Sequence, residues 1–244
     1  MTDDLHGRTR RLELTDQDLR DWEAVVLAAT PEGIVLSRSA FYPGGGGQPA
    51  DHGVLLWQGV ETRIVGVRKD DDLHLIPAEG DPVPPPGVTV RAAVADERRS
   101  ALMRTHSALH VLCGVVFRDY GSLVTGGNME PLVARMDFNM PEVPAGFKEA
   151  IEDACNAEIA ADRRIDVRVL PRAEAFRIPD IIRTATNLVP ESVQEVRIVD
   201  IVGLDCQADG GTHVASTKQI GRVRVAKIEN KGKGFRRVRI EVSG

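Results

Sequence analysis

The 244-residue sequence is short of aromatics, short of cysteine and without a long apolar run. Each shortage removes a class of protein. Aromatics make up 4% of the residues, so base stacking is expected to play a minor part in any nucleic-acid contact. Cys113, Cys155 and Cys206 are few and odd in number, which suits a reducing cytoplasm better than a disulfide framework. No apolar stretch approaches the ~20 residues of a membrane-spanning helix. The opening "MTDDLHGRTRRLELTDQDLRDW" is polar and partly acidic, unlike a secretory leader. These readings give the expectation of a cytoplasmic protein with no membrane partner. Neither an internal repeat nor a low-complexity segment is present.

What remains is ordinary for a globular chain: 42% apolar and 27% charged residues, enough for one large domain or two modest ones. The net charge of −5 argues against a general nucleic-acid coat, but the charge is uneven. From Lys218 to the end, nine Lys/Arg stand against two acids, a local +7 on an acidic body. Such a strip can grip a phosphate backbone at one place, or can be a solvated strand face of alternating charge.

The first ninety-odd residues read as β. "GIVLS", "GVLLW", "ETRIVGVRK", "DLHLI" and "GVTVRAAV" are β-branched runs punctuated by Gly, Pro and Asp. Their spacing predicts a small barrel or sandwich. After Asp96 the period changes. "DERRSALMRTHSALHVLCGVVFRDYG" puts Leu102, Leu109, Cys113 and Val116 on one helical stripe, with Asp96 as N-cap and Gly121 as terminator. A second helix is predicted over Ala145–Ala161, with Phe147, Ile151, Ala154 and Ile159 inward. Strands are predicted at "LVARMDF", "RIDVRVL", "VQEVRIVDIVG", "IGRVRVAKIE" and "FRRVRIEV". The expected fold is therefore α+β: an N-terminal β-barrel over 1–95, then a two-layer domain over 96–244 with helices on a mostly antiparallel sheet.

Three motifs carry chemistry. "HSALH" sets His106 and His110 four residues apart, about 40° around a helix, where two imidazoles can share a metal ion. No Glu follows His106, so this is not the HExxH protease signature. Core histidines flanking the stripe are the alternative reading. "DCQADGGTH" supplies His213 from another part of the chain, with Thr212 beside it. Its glycines permit positive φ and close backbone approach. The alternative there is a hairpin turn with a surface histidine. Three histidines suffice for an open zinc site, one ion per chain, and Asp209 can add a carboxylate. "AFYPGGGGQPADHG" has four successive glycines, Gly44, Gly45, Gly46 and Gly47, followed by Gln48. No Gly-Lys-Ser/Thr follows, so it is not a Walker A loop. It can present backbone N–H groups to a substrate, or simply connect strands. "VTGGNMEP", Val124 to Pro131, reads as a second ligand-facing turn.

In this order, "FYPGGGGQP", "HSALH" and "GGTH" resemble the editing region of alanyl-tRNA synthetases. Nothing in the chain resembles an aminoacylation domain, so it is similar to the free-standing AlaX family of alanyl-tRNA editing proteins, in the longer form with an N-terminal barrel. The resemblance covers nearly the whole chain from about Ala24. It implies a hydrolase that deacylates tRNA(Ala) carrying a wrong amino acid, chiefly serine. It also implies a zinc ion held by the histidine pair His106 and His110 and by a Cys-x-x-x-His pair. The last histidine falls on His213, but the cysteine position falls on Asp209. That departure leaves three candidates for the fourth ligand: Asp209, Cys206 or water. Gly44 is a second departure, where the synthetase loop commonly has Glu. Under this resemblance Thr212, Gln48 and the backbone of Gly44–Gly47 become candidate readers of the serine hydroxyl. The basic strip, with Arg222, Arg224, Lys231, Lys233, Arg236 and Arg237, would hold the acceptor stem or the single-stranded end of the tRNA. Two rivals are a tRNA-binding module of this fold without catalysis and a metal-dependent hydrolase of small esters. A threonyl-tRNA-type editor shares the histidine pair but leaves the glycine run unexplained.

Overall fold

The computed structural model describes residues 9–244; the first eight residues of the expected 1–95 domain, and of the polar N-terminal stretch, lie outside the described residues. By its internal contacts the chain divides into two units. One comprises the chain up to Gly45 together with Pro49–Ser100, and the other Gly46–Gln48 with Ala101–Gly244.

The first unit is a closed six-stranded barrel in the order Asp21–Thr30, Gly33–Leu36, Leu73–Pro77, Val60–Lys69, Gly53–Trp57, Thr89–Val94. All five β-rich runs are strands. A sixth, Asp21–Thr30, was absent from the sequence expectation. Its inward residues Trp22, Ala24 and Val26 are buried while Asp21 and Glu23 face out, and those acids mask the run in a hydropathy reading. Beneath the barrel wall sits a fully buried ion pair. The Arg99 guanidinium donates to both Asp51 carboxylate oxygens and to the carbonyls of Gln17 and Ala40. Asp51 in turn accepts the Tyr42 N–H at 2.7 Å, and its own N–H returns to the Tyr42 carbonyl at 3.0 Å. The chain on either side of the glycine run is thus stapled at Tyr42 and Asp51.

The second unit is built on helix α1, Asp96–Tyr120, from Ala101 onward. One apolar stripe was expected. Instead every residue from Thr105 to Val116 is buried, because α1 is surrounded by protein on all sides. Polar Thr105, Ser107, His106 and His110 are inside and must find partners there. Gly121 ends the helix as expected, at φ +64° with its N–H on the Phe117 carbonyl. A four-stranded antiparallel sheet runs Arg222–Asn230, Phe235–Ser243, Val133–Asn139, Val124–Glu130. A second, three-stranded sheet runs Ile165–Pro171, Glu195–Ile201, Asp205–Ala208. Helix α2, Phe147–Ala160, covers the outer edge strand of the larger sheet. Asn156 bonds the Val223 N–H and carbonyl, and Glu152 accepts the Val225 N–H at 2.7 Å, so the edge is satisfied rather than open.

Val124–Glu130, expected as a turn, is a strand paired with Val133–Asn139 through a register shift at Asp137 and Phe138. The close approach beside it constrains Gly47 rather than the strand's own glycines: an added Cβ on Gly47 would meet the Gly127 carbonyl at 3.1 Å, whereas one on Gly126 or Gly127 would make only ordinary contacts. The Gly47 carbonyl accepts the Met129 N–H, so Gly47 lies against this strand's edge. No helix among the described residues is long and apolar enough to cross a membrane.

Candidate metal centre

His106 and His110 project from α1, and Asp209 and His213 come from the irregular segment after the strand Asp205–Ala208. Their ligand atoms all lie within 4.8 Å of one another. Asp209 is the hub. Its carboxylate is 3.1 Å from His213 Nε2, 3.6 Å from His106 Nε2 and 4.0 Å from His110 Nε2. These values bracket the edge of about 3.4 Å that a tetrahedron of ligands around zinc requires. Cys206 is outside the group: it lies in the strand Asp205–Ala208, half-buried against the apolar cluster of Ala175, Ile181, Val196 and Ile198. Cys113 is buried in the main core.

The outward nitrogens are also engaged. His106 Nδ1 is 2.9 Å from Gln48 Oε1, His110 Nδ1 is 3.0 Å from Asp205, and His213 Nδ1 is 3.2 Å from Ser107 Oγ. Gln48 Oε1 also accepts the Thr212 backbone N–H, which identifies that atom as oxygen and makes His106 Nδ1 a donor. His106 is therefore the tautomer whose Nε2 lone pair points to the common centre. Anchoring the far nitrogen to aim the near one is how metal-binding imidazoles are held. Three nitrogens and one oxygen, all at least partly buried, fit zinc and other borderline divalent ions.

Electrostatics favour neutral His106 and His213 beside an anionic Asp209. Burial pulls His106 down to about 4. Burial, then the charge of His106, holds His213 well below the usual histidine range. His110 is the exception: burial lowers it, but the hydrogen bond and charge of Asp205 outweigh burial and raise it. Burial opposes ionisation of Asp209, yet the surrounding imidazoles, His106 foremost, and the His213 hydrogen bond hold its carboxyl well below its ordinary value.

The glycines of "DGGTH" act by absence of bulk, not by positive φ. Neither Gly210 nor Gly211 is left-handed. A Cβ on Gly211 would lie 2.2 Å from His106 Cε1. His213 is fully buried, so this is not a hairpin with a surface histidine. Gly211→Ala is accordingly expected to push the His106 ring off its position and, if the cluster holds a metal ion such as zinc, to weaken that binding about tenfold or more. Chelator competition on the purified variant checks this, with Gly210→Ala, which meets nothing within 4 Å, as the silent control.

Gln48 and Thr212 sit together beside the cluster: Gln48 Nε2 donates to Thr212 Oγ1 at 2.9 Å. All of Gly44–Gly47 take positive φ, as only glycine does without strain. Gly46 and Gly47 belong to the unit holding the cluster, and the Cβ position of Gly46 is 3.8 Å from Asp209 Oδ1; Gly44 and Gly45 belong to the barrel unit. The basic residues divide by partner. Arg237 is locked in a two-bond pair with Asp137, and Arg224 pairs with Glu241. Arg236 bonds the carbonyls of Phe235 and Pro141. Arg222, Lys231 and Lys233 are exposed, and no carboxylate partner is found for them among the described residues. Sequence reading missed Asp205, Ser107, Gln207 and Arg183 around the histidines. Asp205 stood inside "DCQADGGTH", but no spacing rule links it to His110.

Comparison with known proteins was consistent along the chain. Residues 196–239 match the family described as the threonyl and alanyl tRNA synthetase second additional domain. The alanyl-tRNA editing protein AlaX-M of Saccharolobus solfataricus is 37% identical over 238 residues, 94% of this chain and 97% of that one. The AlaX-M of Methanosarcina acetivorans is 32% identical, with the same two shares covered. The alanine–tRNA ligase of Pyrobaculum neutrophilum is 36% identical over 91% of this chain but only 25% of its own length. With near-complete mutual coverage at this identity, the chain belongs to the AlaX-M family of alanyl-tRNA editing proteins.

Proposed function

We propose that this protein is a trans-editing hydrolase that deacylates mischarged tRNA(Ala), chiefly seryl-tRNA(Ala), with a zinc ion in the His106, His110, Asp209, His213 set. The observation that carries this reading is the convergence of three anchored imidazoles and a carboxylate in a chain that aligns end to end with AlaX-M relatives. When bound, zinc supplies Lewis acidity toward an ester carbonyl or an attacking water. The chain's own residues supply selection. The Thr212 hydroxyl accepts from Gln48, and no acceptor for its own proton is found among the described residues. In this reading that proton bonds a seryl hydroxyl, and an alanyl group would leave it unpaired, which is how a polar site rejects the smaller side chain. Gln48 holds Thr212 through both its amide atoms, so it acts as a positioning residue for the reader. Gly46, lacking a side chain beside Asp209, leaves room for the aminoacyl ester.

The tRNA is held by basic residues of the terminal strands. Of the six candidates, Arg222, Lys231, Lys233 and Arg236 carry charge not spent on carboxylates, and Arg224 and Arg237 are ion-paired within the sheet. Lys231→Ala with Lys233→Ala is expected to raise KM for the aminoacyl-tRNA, leave kcat unchanged, and reduce the salt dependence of binding by about two contacts. Arg237→Ala should instead lower stability.

Asp209, where the resemblance places cysteine, favours a second reading: a tRNA-binding module without catalysis. Metal content and turnover of the purified protein decide between them. Stoichiometric zinc with hydrolysis of seryl-tRNA(Ala), and no hydrolysis of a free serine ester at comparable concentration, supports editing. Hydrolysis of the free ester with equal efficiency would instead make it a small-ester hydrolase.

A further inference from the structure

His110 differs from the other two histidines in having a carboxylate behind it. Asp205, whose side chain is fully buried, places Oδ2 3.0 Å from His110 Nδ1. Asp205 is itself held on three sides. The Arg183 Nε donates to Oδ1 at 3.3 Å, and Gln207 Nε2 donates to Oδ2 at 2.6 Å. The third side is α1. At Gly114, one turn beyond His110, an added Cβ would be 2.9 Å from Leu204 and 3.0 Å from the Asp205 Cβ. Glycine there lets the segment carrying Asp205 lie against the helix close enough to reach His110. Arg183 is fixed in turn, its guanidinium stacked 3.7 Å over the Phe117 ring of α1.

We propose that Asp205 is a positioning residue for the editing reaction, with Arg183 and Gln207 as its holders and Gly114 as its clearance. It keeps His110 protonated at Nδ1, turns Nε2 toward the shared centre, and raises the electron-donating power of that nitrogen toward the metal. A carboxylate–histidine–metal relay of this kind strengthens binding about 10- to 100-fold. Arg183 serves it at a distance, because it touches no histidine. The proposal rests on the reading of the four-residue cluster as a metal centre.

The test reads metal binding rather than turnover. Zinc affinity is measured by competition with a chromophoric chelator for the parent, Asp205→Ala, Asp205→Asn, Gly114→Ala and Arg183→Leu, with nitrogen NMR of the histidine rings to assign the His110 tautomer. Asp205→Ala is expected to weaken zinc binding about 10- to 100-fold and to lose the single Nδ1-protonated form of His110. Asp205→Asn removes the same charge but keeps an acceptor oxygen, so it should recover part of the loss. Recovery separates the hydrogen bond from simple removal of a negative charge near a cation. Gly114→Ala and Arg183→Leu should fall in the same direction by smaller factors. If Asp205→Ala does not fold, the Asn and Arg183 variants carry the comparison. Affinity within twofold of the parent in Asp205→Asn and Arg183→Leu, with the His110 tautomer unchanged, overturns the proposal while leaving the metal centre standing. A parent that binds no zinc overturns both.

Discussion

Replacing His106 or His213 with alanine is expected to lower hydrolysis of seryl-tRNA(Ala) by about 1000-fold, with loss of bound zinc. The size follows from what a bound metal contributes to an ester hydrolysis, several kcal/mol of transition-state stabilisation, at about 1.4 kcal/mol for each factor of ten. Each ring supplies an Nε2 that no neighbour can replace, since Ser107 and Gln48 are already committed to the far nitrogens. The fold should survive, because each variant vacates a polar cavity that water can fill. Single-turnover rates and metal content of the same preparations check both halves. A variant that loses zinc yet keeps the parent's rate would separate the cluster from the chemistry.

Asp51→Ala is expected to be the most destabilising single substitution, by about 3–5 kcal/mol, because it strands the Arg99 charge in the interior. Neither side chain has any exposure, and the remaining acceptors of Arg99 are neutral carbonyls. Against a typical total of about 5–15 kcal/mol, this brings the barrel unit near its limit. The same carboxylate accepts the Tyr42 N–H, so the stem of the glycine run loosens with it. Urea unfolding followed by the fluorescence of Trp22, which is buried in the barrel, reads the loss. The double change Asp51→Leu with Arg99→Met should be milder than the single, because it removes both charges. A single variant within 1 kcal/mol of the parent would show that water or backbone motion reaches Arg99.

Much of the fold was legible because its local signals agree. The five barrel runs alternate β-branched residues with turn formers, and both helices fall within two residues of the expected bounds. The misses have physical reasons. Asp21 and Glu23 hide the strand Asp21–Thr30, and Gly126 and Gly127 made a strand look like a turn although both are paired with Val133–Asn139. The expected stripe of α1 is buried, but the buried face is wider than it, because Ser107 and Thr105 are polar by sequence yet buried with partners. The histidines of the site could be named from two short motifs, since helical spacing and a glycine-flanked histidine are local features. Asp205 and Arg183 could not, because their relation to His110 spans 95 and 73 positions and exists only after folding. The pairing of Arg237 with Asp137 was equally hidden: charge counting gave the strip its +7 without the acid that faces it on the neighbouring strand.

The most direct measurement is deacylation of seryl-tRNA(Ala) and alanyl-tRNA(Ala) side by side with zinc-loaded protein. Rapid hydrolysis of the seryl ester with the alanyl ester spared by about 100-fold or more is the expected result. Equal rates on both esters, or no hydrolysis of either with zinc bound, would contradict the editing function.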